Sequence, residues 1–210
     1  MHSIIDDLNW RYATKKFDPS KKIEEGTVNI ILEALRLAPS SYGLQPTKIL
    51  VIKNPELRSQ LVEAAYGQKQ VEEASHLLVL ASYHELSPEL IHSFIEEVAT
   101  TRNQSRESLT GFETMLLNYA NAKDTNFLSD WMKRQNYIVL GHLMQICAQL
   151  RIDATPMEGV NYGKFDELLE LGSKNLKTDL VIPIGYRHEE DAYLQRKKVR
   201  RKFHDVVEFI

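Results

Sequence analysis

The sequence predicts an α+β fold in one domain, on three observations. The chain of 210 residues is long enough for one sizeable core, and no repeat, low-complexity tract or linker divides it, so we assign residues 1–210 to a single domain. Helical spacing dominates the beginning and the middle of the sequence. The short apolar runs typical of strands are few, and they do not alternate regularly with helices of crossover length, which disfavours a doubly wound parallel sheet.

Six segments have apolar residues at helical spacing or begin with a helix-start signal. They are residues 1–11, 24–37, 54–65, 89–122, 127–150 and 165–171. In the first of them Ile4, Ile5 and Leu8 share one side, which predicts a short amphipathic helix. Proline is favoured in the first turn of a helix, so Pro88 supports a helix that starts after Ser87.

The segment 127–150 predicts the longest helix, with apolar residues on two sides. One stripe consists of Leu128, Met132, Val139, Leu143, Ile146 and Leu150. The second stripe consists of Trp131, Ile138, Leu140 and Met144. A helix that is apolar on two sides is buried on two sides, so we expect a central helix or one shared with a partner subunit. Trp131 and the single cysteine, Cys147, are expected to have packing roles.

Four short apolar runs predict the strands of the sheet. They are residues 48–53, 76–82, 152–155 and 180–186. The second run, HLLVLAS, is continuously apolar and indicates a buried strand. Pro156 follows the third run directly and limits its length.

Composition and charge exclude several classes of partner. The formal net charge is −3, which gives no reason to expect binding to nucleic acid or to a membrane surface. No stretch approaches membrane-spanning length, and residues 1–10 contain no apolar core of signal-peptide length. The single cysteine rules out a disulfide within the chain and fits a reducing compartment. We therefore expect a cytoplasmic protein.

Familiar catalytic motifs are absent from the sequence. No pair of glycines has the GxG spacing of a dinucleotide-binding turn, and there is no phosphate-binding P-loop. There is also no GxSxG hydrolase motif, no CxxC pair and no tight cluster of histidine and cysteine. If the chain is an enzyme, a bound organic cofactor is the economical explanation for the missing nucleophile and metal.

Basic residues concentrate near both ends of the chain. Arg11 and Lys15 are four residues apart, so in a helical or turn-like conformation they point to one side and suit an anionic ligand such as a phosphate. A solvated helix end is the alternative, and it is favoured when this pair is taken alone. The basic run at 197–202 follows the last predicted strand closely, so it is tethered to the fold and can contribute to a phosphate site. Most basic runs, however, are solvated surface.

Two loops carry groups that suit ligand contact. Residues 38–46 combine serines, a glycine and a glutamine with flanking prolines, which predicts a rigid loop rich in hydrogen-bonding groups. Such loops cap helices more often than they bind ligands. Residues 156–159 follow a predicted strand, and the glycine there allows the backbone to approach a planar ligand closely. Taken alone, a tetrapeptide of this kind is weak evidence.

Taken together, these segments resemble the FMN-dependent nitroreductase family in order and spacing, from residue 11 to residue 200. The matching pieces are RYATKKFD at 11–18, LAPSSYGLQP at 37–46, ATPMEGV at 154–160, LVIPIGYR at 180–187 and KKVR at 197–200. The resemblance implies a nitroreductase-like α+β fold with a mixed, mostly antiparallel sheet flanked by helices. It also implies an intertwined homodimer, in which the C-terminal segment of one subunit reaches over the other and two FMN molecules lie at the interface.

The resemblance assigns cofactor-binding roles near both ends of the chain. These residues are Arg11, Tyr12, Ala13, Lys15, Lys198 and Arg200. Arg11, Lys198 and Arg200 correspond to the grip on the FMN phosphate. Lys15 corresponds to a lysine at the pyrimidine edge of the isoalloxazine. Ala13 stands where a serine is frequent in the family, so one phosphate contact is lost or supplied elsewhere.

The resemblance also assigns cofactor-binding residues in the middle of the chain. They are Ser40, Ser41, Gly43, Gln68, Gln70, Pro156, Met157, Glu158 and Gly159. The two serines correspond to residues that reach the FMN of the other subunit, and the two glutamines to residues at the flavin edge. Residues 156–159 correspond to the segment along the flavin ring, with a backbone N–H near N5. Gly43 replaces a frequent asparagine.

The implied activity is that of an NAD(P)H-dependent oxidoreductase. NADH or NADPH delivers a hydride through flavin N5, and a small-molecule oxidant such as a nitroaromatic or a quinone takes its place in a ping-pong cycle. No catalytic side chain is assigned, because the flavin carries the chemistry. Three alternatives remain: a flavin or dihydropteridine reductase on the same scaffold, a non-enzymatic flavin-binding protein, and an α-helical dimerisation module whose basic residues are only solvated.

Overall fold

The computed structural model describes residues 3–210, so the first two residues of the predicted helix 1–11 lie outside the described range. Eight α-helices form within that range. They are α1 Ile4–Trp10, α2 Glu25–Arg36, α3 Pro55–Ala64, α4 Gln70–Glu73, α5 Pro88–Arg102, α6 Thr110–Asn121, α7 Thr125–Gln149 and α8 Tyr162–Leu168. None of these helices combines the length and the apolar content that crossing a membrane requires.

One sheet of four strands holds the helices together. The strands are β1 Thr47–Ile52, β2 His76–Tyr83, β3 Asp153–Ala154 and β4 Leu176–Gly185. Their order is β1-β2-β4-β3, and all three pairings are antiparallel. The four predicted strands are confirmed, with β4 beginning earlier than residue 180. The resemblance implied a mixed sheet, but residues 3–210 supply antiparallel neighbours only.

The sheet is buried on both faces, as its central strand β2 shows. Successive side chains of a strand point to opposite faces. Leu77 and Val79 belong to a buried cluster with residues of α3 and α8, whereas Leu78 and Leu80 belong to one with residues of α2 and α7. This two-sided burial explains why the sequence of β2 is continuously apolar. A third buried cluster joins α5, α6 and the first half of α7 away from the sheet.

The two-sided burial predicted for α7 is only partly observed. Trp131 and Cys147 are buried, as expected, and burial raises the pKa of the Cys147 thiol to about 12. Within the second stripe, however, Ile138 is 40% exposed, and the neighbouring Tyr137 is also exposed. A single chain therefore covers one side of α7 and leaves part of the other side open.

The apolar side of α1 is not buried in the chain. Ile4 and Ile5 are 60% and 64% exposed. The buried residue of this helix is instead Asp7, which pairs with Arg151 over 2.9 Å (Oδ1 to Nη2). The amphipathic pattern thus predicts the helix but not the face by which it attaches, because an ion pair makes that contact.

Two helix boundaries and one short helix differ from the sequence prediction. The stretch 89–122 is two helices, because Asn103 adopts a left-handed φ of 51° and ends α5. Helix α8 begins at Tyr162 rather than at residue 165, since Asn161 caps it by accepting a hydrogen bond from the Lys164 N–H. Helix α4 was not predicted, because its four residues are too few to show a helical period.

Candidate functional site

A cavity of about 580 Å³ lies between the two ends of the chain. The segment around the end of α1 contributes Asn9, Trp10, Arg11, Tyr12, Ala13 and Lys15. The segment after β4 contributes Arg187, Tyr193, Leu194, Arg196, Lys197, Lys198 and Arg200. The cavity therefore brings together all six residues that the resemblance assigned near the chain ends.

Positive charge dominates this cavity. Seven of its lining residues are basic, and no acidic residue among those described, 3–210, lines it. Burial, together with the nearby Arg200 guanidinium, lowers the pKa of Arg11. Burial and the neighbouring Arg11 and Arg200 likewise lower the pKa of Lys198. Because these cations disfavour one another, an anion placed among them would be bound favourably.

Asp191 fastens the two segments together. It is 4% exposed, and its carboxylate accepts hydrogen bonds from the backbone N–H groups of Lys15 and Lys16 at 2.8 and 3.2 Å. The Tyr12 hydroxyl donates to it at 3.1 Å and the Tyr193 N–H at 2.8 Å. Burial would raise the pKa of Asp191, but these hydrogen bonds hold the pKa below its usual value. The Asp191 carboxylate thus holds the first motif, residues 11–18, against the segment after β4.

Lys198 makes a second connection between the chain ends. Its ammonium donates to the carbonyl oxygens of Leu8 and Arg11, the latter at 2.6 Å. The last carbonyls of a helix have no partner within the helix and carry partial negative charge, so a cation at the end of α1 is stabilising there. Lys198 therefore lines the cavity while it also completes the end of α1.

Arg187 forms part of the cavity wall. Its guanidinium lies 4.1 Å from the ring centroid of Trp10 and 4.5 Å from that of Tyr12. Its Nε and Nη2 are 2.8 and 2.5 Å from Oδ1 of the buried Asp153. Because Asp153 balances this charge, Arg187 contributes shape more than affinity for an anion.

The first motif also lies next to the segment 156–159. The Thr155 hydroxyl donates to the carbonyl oxygen of Thr14 at 2.7 Å, and both residues are buried. Lys15 and Pro156 each directly follow one of these two threonines in the chain. The structure thereby joins two segments that are about 140 residues apart in the sequence.

Side chains from two further elements support residues 156–159. The Gln68 amide nitrogen donates to the Gly159 carbonyl oxygen at 2.9 Å, and the Tyr137 hydroxyl donates to Glu158. The backbone of Met157 pairs with that of Val181 in β4. Gln70, the other glutamine that the resemblance assigned, is buried in α4 at 6% exposure.

The loop of residues 38–46, which we call the serine loop, does not line the cavity between the chain ends, which we call the cationic cavity. Ser40 lines a different cavity of about 350 Å³, where its hydroxyl accepts a hydrogen bond from the Gln45 N–H at 2.9 Å. The Ser41 N–H donates to the Gln135 side chain of α7 at 2.9 Å. Gly43 has a φ of 76°, which glycine adopts without strain. The loop is ordered by these contacts, but within one chain it is separate from the other assigned residues.

Sequence reasoning missed Asp191, Arg187 and Tyr193 as parts of the site. Asp191 follows two exposed glutamates and has no periodic or motif signal of its own. Arg187 lay at the end of a matching motif, but its partner Asp153 is 34 residues away. A buried carboxylate is recognised through its donors, and only the folded chain shows them.

The solved structures that resemble this chain share a nitroreductase-like α+β fold. A presumed NAD(P)H:FMN oxidoreductase of Staphylococcus epidermidis aligns with a TM-score of 0.87 at 21% identity, over 100% of this chain and 97% of that one. A presumed nitroreductase of Exiguobacterium sibiricum, solved in complex with FMN, aligns with a TM-score of 0.83 at 19% identity, over 100% and 98% of the two chains. At these identities the likeness establishes the fold.

The sequence comparisons establish the family. The model of the nitroreductase family matches residues 8–186. YfkO of Bacillus subtilis, a presumed NAD(P)H nitroreductase, is 34% identical over 218 aligned positions that cover 99% of this chain and 97% of the relative. The chain therefore belongs to the nitroreductase family.

Proposed function

We propose that the chain is an FMN-dependent NAD(P)H oxidoreductase that reduces nitroaromatics, quinones or related small acceptors. The observation that carries this proposal is the cavity at the chain ends, where basic residues gather with no lining acid among residues 3–210. The names of the relatives and the FMN held by one structural neighbour support the same conclusion.

The residues of the cavity fit a phosphorylated cofactor. A phosphate monoester carries a charge of about −1.5 to −2 near neutral pH and offers several strong acceptor oxygens. Arg11, Lys198 and Arg200 supply the matching donors, since all three line the same cavity. Tyr12 and Ala13 complete the wall on the side of the first motif.

When bound, FMN supplies the transfer of two electrons from a nicotinamide to an oxidant. The side chains of the protein bind and orient it. Lys15 adds a positive charge to the cavity wall, which favours added negative charge on the ligand. Residues 156–159 present backbone groups and one glycine to a planar ring, and Gln68 and Tyr137 hold that segment in place. No side chain is required as nucleophile.

The proposed assembly is a homodimer in which two chains share each cofactor site. The loop with Ser40, Ser41 and Gly43 lies outside the cationic cavity of its own chain. A second copy could present this loop to that cavity, and the exposed apolar residues of α1 and α7 provide surface for such contact. Because Cys147 is free and buried, we also place the protein in a reducing compartment, the cytoplasm.

The test is reduction of the reconstituted protein. Purified chain is loaded with FMN and mixed with NADPH or NADH without oxygen, and its visible absorbance is followed. Loss of the oxidised-flavin band, and its return on adding a nitroaromatic or a quinone, is the expected result. Bound flavin that stays oxidised with both nicotinamides would indicate a flavin-binding protein, and failure to bind FMN would remove the proposal altogether.

A further inference from the structure

Arg58 on α3 is a buried cation that serves the backbone of a neighbouring segment. It is 7% exposed, and its guanidinium donates to four carbonyl oxygens. They belong to Val71, Glu72, Ala74 and Ser75, at 2.9, 3.0, 2.5 and 3.2 Å. Burying a charged side chain is costly unless its donors are satisfied, so this placement implies a specific role for the side chain.

These carbonyls lie in the connection from α3 to β2. The connection opens with a left-handed turn at Tyr66 and Gly67, whose φ values are 54° and 78°. It then forms the short helix α4, whose last carbonyls have no partners within the helix. Arg58 supplies those partners from the far side of the turn, and so fixes the path of the whole connection relative to α3.

The same connection carries Gln68, which reaches the candidate site. The Gln68 amide nitrogen donates to Ala65 at 3.0 Å and to Gly159 at 2.9 Å, in both cases to the carbonyl oxygen. Arg58 is thus linked to Gly159 through the 66–75 connection and one glutamine.

We propose that Arg58 is a positioning residue of the flavin site. By holding the carbonyls of residues 71–75 it keeps Gln68 on the Gly159 carbonyl, and thereby sets the backbone orientation of residues 156–159. This inference rests on the proposed function, which puts those residues along the cofactor ring. The structural link itself does not require the cofactor, so it can be tested without it.

The first test measures amide hydrogen exchange in the chain without cofactor. In Arg58→Met we expect faster exchange at residues 68–76 and also at 157–161, relative to amides of β2 and β4 that report global unfolding. Gln68→Ala should accelerate exchange at 157–161 alone. Acceleration in Arg58→Met that is confined to 68–76 would overturn the proposed coupling. If Arg58→Met does not fold, Arg58→Lys replaces it, with a smaller acceleration expected at the same two segments.

The second test uses FMN affinity and the visible spectrum of bound FMN. Arg58→Met and Gln68→Ala should each weaken FMN binding about tenfold and change the spectrum in the same way, and the double variant should be no worse than the weaker-binding single variant, because residues in one network are not additive. Leu116→Ala is the control, since Leu116 on α6 is fully buried in the cluster of α5, α6 and α7, to which none of residues 66–75 or 156–159 belongs. It lowers stability and should leave the spectrum unchanged.

Two results of this second test would overturn the positioning role. One is a fully additive double variant, and the other is a Leu116→Ala variant that reproduces the spectral change of Arg58→Met. If the wild-type chain binds no FMN, the proposed function fails, and the exchange measurement still decides whether Arg58 is coupled to Gly159.

Discussion

The cationic cavity and the serine loop show opposite ways of preparing one proposed site. The cavity is assembled from segments near both ends of the chain and is held by Asp191, which accepts hydrogen bonds from both of them. The serine loop is one continuous segment, held by a hydrogen bond within the loop from the Gln45 N–H to Ser40 and by one from the Ser41 N–H to Gln135 on α7. The cationic cavity is thus formed by one chain. The serine loop is ordered, but it lies outside that cavity in the same chain.

The difference teaches which contacts a monomer can make. Binding a phosphate calls for several cations around one cavity, and the fold of one chain places seven basic residues around this one. Ser40 and Ser41 need only a fixed conformation in their own chain, in which a second chain can then contact them. The sequence resemblance assigned both regions to one cofactor, so their separation in one chain is the structural argument for a shared site.

The largest effect is expected from removing two cations of the cavity. Replacing Lys198 and Arg200 together by alanine should raise the Kd for FMN about 100- to 10,000-fold, because each charge-assisted hydrogen bond contributes about 1.5–3 kcal/mol. Titration of the apoprotein with FMN measures this. The matched control is Arg201→Ala with Lys202→Ala, since both residues are basic and exposed and neither lines the cavity. Equal FMN affinity in the Lys198/Arg200 variant and in wild type would remove the phosphate assignment.

A smaller effect, a loss of stability, is expected when the Asp191 carboxylate is replaced by a neutral amide. Asp191→Asn should lower the free energy of unfolding by about 2 kcal/mol, because a buried acceptor with several N–H donors loses its charge. The folded-state pKa of Asp191 lies below its usual value, so the stabilisation is fully present above about pH 4 and is lost as the pH falls through the folded pKa.

Urea unfolding at several pH values compares the two proteins. The stability difference between wild type and Asp191→Asn should shrink toward zero in acid. Glu189→Gln is the control, since Glu189 is exposed and lies two residues away. A difference that stays constant below pH 4 would show that Asp191 acts through packing rather than through its charge.

The serine loop should show a moderate effect that depends on the partner chain. Ser40→Ala with Ser41→Ala should raise the Kd for FMN about 5- to 150-fold, if each hydroxyl contributes one hydrogen bond of about 0.5–1.5 kcal/mol. When this variant is mixed with the Lys198/Arg200 variant and allowed to exchange subunits, each mixed dimer should regain one intact site.

Counting tight FMN sites in the mixture decides between a shared and a separate site. A shared site predicts about one restored site for each heterodimer, because an intact cavity then meets an intact loop. If both regions served the cofactor of their own chain, mixing would restore none. That result would mean that the cationic cavity and the serine loop do not share a cofactor across the dimer.

The smallest effect on FMN affinity is expected from removing the contact of Tyr137 with residues 156–159. Tyr137→Phe removes the hydrogen bond to Glu158, and both side chains are exposed, so the Kd for FMN should change by no more than about threefold. Isothermal titration with FMN is sensitive enough to measure this change. An effect as large as that of the cavity variants would mean that the ring side, rather than the phosphate side, dominates binding.

Periodicity and turn residues predicted most of the fold. The continuous run of β2 reports burial directly, and the first stripe of α7 does so from Leu128 to Leu143, because each repeats over many residues. The exposed apolar side of α1 could not be foreseen, since its attachment depends on an ion pair between Asp7 and the distant Arg151. Helix α4 has too few residues for a period, and Arg58, which holds it, gives no local signal.

The site was predictable to the extent that its residues carry unusual chemistry in sequence. Clustered cations at both ends of the chain indicated an anion, and the structure places them around one cavity. Asp191 was missed, because a carboxylate that accepts backbone hydrogen bonds looks like any acidic surface residue until its donors are known. The relation of the serine loop to that cavity depends on a second chain, which the sequence of one chain does not specify by itself.

The position of Lys198 and Arg200 has a consequence for biosynthesis. A ribosome makes the sheet, all eight helices described between residues 3 and 210, and the first cationic motif before it reaches these two residues. Under the proposed function a released chain that ends at residue 190 would contain every strand and α-helix described between residues 3 and 210 and yet retain FMN poorly. Flavin retention would then report that residues 198–200 have been made and released with the rest of the chain.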